Sequence, residues 1–347
     1  MPSSISSSNE RLPAGPWGRV WIFTALIVVG LLAAFEIACR KTGNEPAVIN
    51  NERLWCDTRV KLKENDTTAV VVLGESRIMN GLSIPALYES LGGSYPIQLA
   101  LPGSSAIPML KNIALETSFS GTLVMNINEE FVFDQARSTE GPQRLMLETY
   151  KKQRLLDFIE YRLRIELQNS FAFKRDYMGI EKILKNGWPK PEPGEMRDDR
   201  FMPFDFSKVK KLDMFKNMQR DLYSRLGVAP TPAQFDEQLI EFEDCVQAIR
   251  KRGGHVLFVR MPSKGQIRKY EQERFPREKY WDVFITRVSA VCIHADDYPE
   301  LSKYDCPDES HLDGKDTGPF TKSLIAIAKP KLDAPPELKP APRKDGR

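Results

Sequence analysis

Three histidines in 347 residues let every candidate general base be weighed in turn. His311 lies in the run Asp308, Glu309, Ser310, His311, Leu312, Asp313, Gly314. A spacing of three lets one turn set the Asp308 carboxylate against the imidazole, which fixes the tautomer and stabilises an imidazolium during proton transfer. The same stretch also reads as a polar loop capping a final helix through Asp313 or Asp316, and that reading does not compete for His311. His294 closes an apolar run and is followed by Asp296 and Asp297, with no carboxylate fixed beside it. His255 opens an apolar run, at the edge of a sheet far from any crevice. The nucleophile that His311 would serve is Ser76, two residues past Gly74 and just after a buried strand, where backbone amides at a helix start could hold an oxyanion. Helix capping is the other use of a serine there. Two further loops offer donors to the same crevice: Gly103, in Pro102-Gly103-Ser104-Ser105, through its amide, and Asn128, in Asn126-Ile127-Asn128-Glu129, through its side chain. A plain turn and a capping asparagine are their alternatives. No His and Cys spacing suggests a zinc site and no phosphate-cradling glycine loop occurs, so neither a metal nor a cofactor is expected.

The elements that must carry these residues alternate as in a parallel α/β sheet. Strands are expected at 69–73, 95–100, 122–127, 256–259 and 291–294, and helices near 83–91, 107–117, 277–290 and 319–328. The clearest helix places Phe235, Leu239, Phe242, Val246 and Ile249 on one stripe, with Thr231, Pro232 and Gln234 at its start and Gly253 and Gly254 at its end. The fold class is therefore α/β, a three-layer doubly wound parallel sheet of about five strands, in a domain spanning 68–328. Residues 135–230 break the alternation and read as a helical insertion.

Fifty basic and 47 acidic residues, mixed along the chain, give a net charge of +3 and no field that points to nucleic acid. An uncharged run from Val20 to Phe35 predicts a transmembrane anchor over 17–39. Arg11, Arg19, Arg40 and Lys41 flank it on both sides and orient it only weakly. The favoured layout is a single pass through the cytoplasmic membrane with the body outside the cytoplasm. A cleaved signal peptide is the rival, and lipidation at Cys39 is disfavoured by Glu36. Residues 1–16 and 329–347 read as disordered ends and 40–67 as a connector. Of the five cysteines, Cys292 and Cys306 flank the segment leading to Asp308, and a disulfide there would brace that loop; free buried thiols are the equal alternative.

In their order and strand context, Gly74-Glu75-Ser76, Gly103, Asn126-Ile127-Asn128-Glu129 and Asp308 to His311 resemble the blocks of the SGNH or GDSL hydrolase superfamily. The resemblance covers about 69–133 and 232–328. It implies Ser76 as nucleophile, His311 as general base, Asp308 as its orienting partner, and the Ser76 amide, Gly103 amide and Asn128 side chain as oxyanion donors. Val71 to Phe133 looks closest to the membrane-anchored branch that accompanies membrane-bound O-acyltransferases in acetylating exported polysaccharides, or serves teichoic acid D-alanylation. The expected substrates are an acyl donor and a polysaccharide, and the expected partner is a membrane-bound O-acyltransferase. The chain departs from the pattern at Glu75, where aspartate is usual, and at Asn126, where glycine is usual. A degenerate site that holds glycan within an assembly complex is the competing expectation.

Overall fold

The computed structural model describes residues 15–63, 65–134, 141–225 and 228–334. Five runs become strands: β1 Val70–Leu73, β2 Ile97–Gln98, β3 Thr122–Asn126, β4 His255–Arg260 and β5 Val291–His294. All pair in parallel, in the order β2-β1-β3-β4-β5. The chain steps from β1 to β2 on one side and then crosses to β3 on the other. The topological switch point, where such sheets open a crevice beyond their carboxyl ends, therefore lies between β1 and β3.

Alternate strand residues explain the helices on both faces. Val71, Leu73, Leu123, Met125 and Phe258 point into one apolar core, shared with the helices Ile107–Leu115, Pro232–Lys251 and Trp281–Arg287. Val70, Val72, Val124, Leu257 and Val259 point into the other, under the helices Ile84–Leu91 and Gly314–Leu332. The stripe on Pro232–Lys251 is buried as its spacing requires, each large side chain contributing roughly 1.5–3 kcal/mol. Its start carries a full capping box: the Gln234 N–H donates to Thr231 Oγ1 and the Thr231 N–H to Gln234 Oε1.

Several expectations need correction. The connector holds a buried helix, Glu52–Arg59, whose Trp55 indole donates to the Leu99 carbonyl at 3.1 Å. A helix absent from the sequence reading, Gly265–Arg274, follows β4, and the helix expected over 277–290 is confined to Trp281–Arg287. The last helix begins at Gly314, capped by Asp313, and runs past Pro330 to Leu332, so residues 329–332 are helical. The remaining tail, 335–347, and residues 1–14 lie outside the described residues. Cys292 and Cys306 do not bridge, in line with the alternative of unbridged thiols: the Cys306 Sγ donates to the Pro262 carbonyl and the Cys292 Sγ to the Ala290 carbonyl.

The insertion contributes the helices Pro142–Lys152, Leu155–Ser170, Ile180–Asn186 and Leu212–Ser224. Its Arg200, fully buried, donates to the carbonyls of Gln98 (2.9 Å) and Ala100 (3.1 Å), covering the edge strand β2. The helix Trp17–Lys41 is long and apolar enough to cross a membrane and is exposed over most of its length.

Candidate active site

The loop after β1 needs a glycine. Gly74 has φ +143°, and a Cβ there would lie 2.6 Å from Ile78 Cγ2 and 3.0 Å from Asn126 Cβ. Two residues on, Ser76 opens the helix Ser76–Gly81. Glu75 caps that helix, one carboxylate oxygen accepting the Arg77 N–H at 2.7 Å and standing 3.2 Å from Ser76 Oγ. The other oxygen accepts the Asn126 side-chain amide, whose own carbonyl accepts the Met261 N–H at 3.0 Å. The two departures noted in the sequence thus meet as one hydrogen-bonded pair, which ties together the loops after β1, β3 and β4.

Ser76, His311 and Asp308 come together across the chain. Ser76 Oγ lies 2.8 Å from His311 Nε2, and His311 Nδ1 lies 2.7 Å from Asp308 Oδ2. Asp308 Oδ1 accepts the backbone N–H groups of Ser310 (2.9 Å) and His311 (2.7 Å). Burial pushes the Asp308 carboxyl up, but the adjacent imidazole and these donors outweigh it and hold the group below its ordinary pKa. Asp308 is therefore an ionised, acceptor-only group, and a neutral His311 ring with its proton on Nδ1 leaves the Nε2 lone pair facing the serine hydroxyl. Asp308 is fully buried, while Ser76 keeps partial access to solvent.

Asn128 caps the short helix Glu129–Val132, its Oδ1 accepting the Glu130 N–H at 3.3 Å. Its Nδ2, fully buried, has no hydrogen-bond partner among the described residues. A buried amide donor without an acceptor costs about 1–3 kcal/mol, so this group is available to donate to an acceptor placed beside it. Gly103 has φ +66° in the turn after β2, a left-handed position that favours glycine. That turn is tied to the serine loop by the Leu101 N–H donating to the Gly74 carbonyl at 3.0 Å.

Behind the serine lies a buried charge network that the sequence reading did not find. Arg77 pairs with Glu271 at 2.6 Å and donates to Ser310 Oγ at 3.1 Å, joining the serine loop to the loop of Asp308 and His311. Arg260, at the end of β4, pairs with Glu129 (2.7 Å) and Glu271 (2.6 Å). Burial raises the Glu271 carboxyl, but Arg260 and Arg77 overcome this and bring it down to about 2. Glu130 is the opposite case: burial, reinforced by Glu271, pushes it up to about 8. The folded chain therefore takes up a proton at Glu130 between about pH 4.5 and 8, and stability falls as pH rises through that window. Glu130→Gln, which lacks this titration, is expected to melt a few degrees above the parent near pH 9 and to differ little near pH 5. Thermal melts of the full chain in detergent measure both.

The insertion reaches the same loop. Glu309, between the two triad residues, sits at φ +72°, a left-handed conformation that costs a non-glycine residue about 1–3 kcal/mol. It is held there by the Arg220 guanidinium and by the Gln266 N–H at 3.0 Å. Beside it, the Tyr223 hydroxyl lies 3.2 Å from Ser310 Oγ, and Arg77 stacks over the Tyr223 ring. Arg220 and Tyr223 hold the loop through Glu309 and Ser310, the two residues between Asp308 and His311. Arg220→Ala is expected to lower kcat roughly 5–10-fold with KM little changed. Adding Glu309→Gly, which adopts the conformation freely, should restore most of the loss, whereas general damage to the fold would leave the double variant no better.

The other sequence candidates fall elsewhere. His294 is buried edge-on against Trp281, is driven by burial down to about 2, and caps the turn that follows by accepting the Asp296 N–H at 3.1 Å. His255 is exposed at the amino edge of β4. Among the aromatics of the insertion, Tyr161 is buried, Tyr150 lies under Arg59, and Phe173 packs on the end of the helix Trp17–Lys41. No protein-family model matches the chain, and no curated protein matches it significantly.

Proposed function

We propose that the chain is a membrane-anchored serine acyl esterase or O-acyltransferase of the SGNH type, acting outside the cytoplasm on O-acyl groups, with acetyl the expected one, of an envelope or exported polysaccharide. The observation that carries the proposal is the continuous relay from Ser76 Oγ through His311 to Asp308. Ser76 Oγ attacks the acyl carbonyl as its proton passes to His311 Nε2. Negative charge developing on the carbonyl oxygen is met by the amides of Ser76 and Gly103 and by the unpartnered Asn128 Nδ2. Collapse expels the alcohol, which takes the proton back from His311 and leaves Ser76 acylated. A sugar hydroxyl then gives transfer and water gives hydrolysis, each surrendering its proton to the same nitrogen. A membrane-bound O-acyltransferase supplying the acyl group is the partner this scheme calls for, and the helix Trp17–Lys41 would keep the site beside it.

The test is incubation of the full chain in detergent with an O-acetylated polysaccharide or p-nitrophenyl acetate, following acetate release and acetyl transfer to sugar. Turnover by either route supports the proposal, and its absence from folded protein with both donors counts against it. Asn128→Ala should reduce kcat about 10²–10³-fold, because it removes a donor aimed at charge that exists only in the transition state.

A further inference from the structure

The helix Trp17–Lys41 does not leave the body as a free stalk. The Glu36 carboxylate accepts the N–H groups of Ala172 (3.0 Å) and Phe173 (3.1 Å), and Arg40 donates to the Ser170 carbonyl at 3.1 Å. The Trp188 indole donates to Thr42 Oγ1 at 2.9 Å, and the Phe35 ring centroid lies 6.1 Å from that of Phe173 and 5.8 Å from that of Trp188. The uncharged run ends at Phe35. The segment around residues 170–174 and Trp188 therefore stands at the level where the helix leaves hydrocarbon.

Beyond that level the insertion exposes further large apolar side chains. On the helix Leu155–Ser170, Leu156, Ile159, Leu163 and Leu167 follow at spacings of three and four and are exposed, while Tyr161 and Ile165 of the same helix are buried in the core. The short helix Ile180–Asn186 repeats the pattern: Ile183 packs beside Cys39 and Phe35, while Ile180 is 72% and Leu184 82% exposed. Phe171 and Trp188 add exposed aromatic surface. Residues 151–190 carry ten basic against five acidic side chains, whereas the whole chain is nearly balanced. Apolar and aromatic side chains interleaved with lysine and arginine, in a segment bonded to the end of a helix long and apolar enough to span a membrane, fit the boundary between acyl chains and anionic headgroups.

We infer that the face bearing Leu163, Leu167, Phe171, Ile180, Leu184 and Trp188 rests on the leaflet from which the anchor helix emerges, with the insertion's basic residues against anionic lipid headgroups. The body is then held against the bilayer by two attachments, the helix and this face. The inference rests on the anchor spanning the membrane and is independent of the chemistry at Ser76.

The full chain, reconstituted in vesicles of phosphatidylglycerol and phosphatidylethanolamine, would carry a spin label at Leu184→Cys, Leu163→Cys, Leu26→Cys within the anchor, or Leu115→Cys on an exposed helix end of the core domain. The unsubstituted chain gives the background from native thiols. Labels at Leu184 and Leu163 should collide more with oxygen than with an aqueous nickel chelate, as at Leu26, and the label at Leu115 should show the reverse. Water-exposed labels at both insertion positions with Leu26 still in lipid would overturn the inference while leaving the anchor intact. Labels shielded from both reagents would mean that a second copy of the chain covers the face, which overturns it equally. A water-exposed label at Leu26 would refute the membrane-spanning anchor itself.

Discussion

Ser76→Ala is expected to abolish acyl-enzyme formation and to lower kcat by about 10⁶-fold, the scale seen when the nucleophile is removed from a triad that works as a unit. The size follows from the geometry. Ser76 Oγ is the atom within hydrogen-bonding reach of a histidine whose other nitrogen is committed to a buried carboxylate. Glu75, 3.2 Å from the same oxygen, is buried and holds the Arg77 N–H and the Asn126 amide. Steady-state hydrolysis of an activated acetyl ester by the full-length variant measures the loss. A change of less than about tenfold would place the chemistry elsewhere. The alanine variant should fold normally, since Ser76 sits at the first turn of its helix and Glu75 supplies the cap.

Asp308→Asn should cost about 10⁴-fold in kcat with little loss of stability. Asp308 Oδ1 accepts two backbone N–H groups, so an asparagine keeps its carbonyl there and turns its NH₂ toward His311 Nδ1. That nitrogen must then accept rather than donate, the ring proton moves to Nε2, and the lone pair that faces Ser76 is lost. A kcat loss with KM and melting temperature nearly preserved marks the tautomer effect. Equal losses in activity and stability would mean that Asp308 serves only to hold the loop.

How legible each part was in the sequence depended on how local its cause is. The buried run at β1 and the stripe on Pro232–Lys251 carry their signal in consecutive side chains, and both stand close to where they were expected. The spacing of Asp308 and His311 is likewise local, as one turn brings them together. β2 is shorter than its apolar run because only Ile97 and Gln98 pair at that edge, and beyond them the Ala100 carbonyl accepts from Arg200, 100 positions away. The helix Gly265–Arg274 escaped notice because its sequence is almost wholly polar and its inward face includes Glu271, a carboxylate buried by partners from two other loops. Glu75 and Asn126 read as separate departures because nothing in a one-dimensional string shows that they bond to each other. Arg220 and Tyr223 were hidden for the same reason: they lie in the insertion and act on a loop far along the chain.

The central claim is that Ser76 is a nucleophile activated by His311. Intact mass of the folded full chain after incubation with a fluorophosphonate, alongside Ser76→Ala and His311→Ala, tests it most directly. The account predicts one adduct on the parent, none on the serine variant, and labelling of the histidine variant slowed by orders of magnitude. An unlabelled parent, or an adduct that persists after Ser76 is removed, would contradict it.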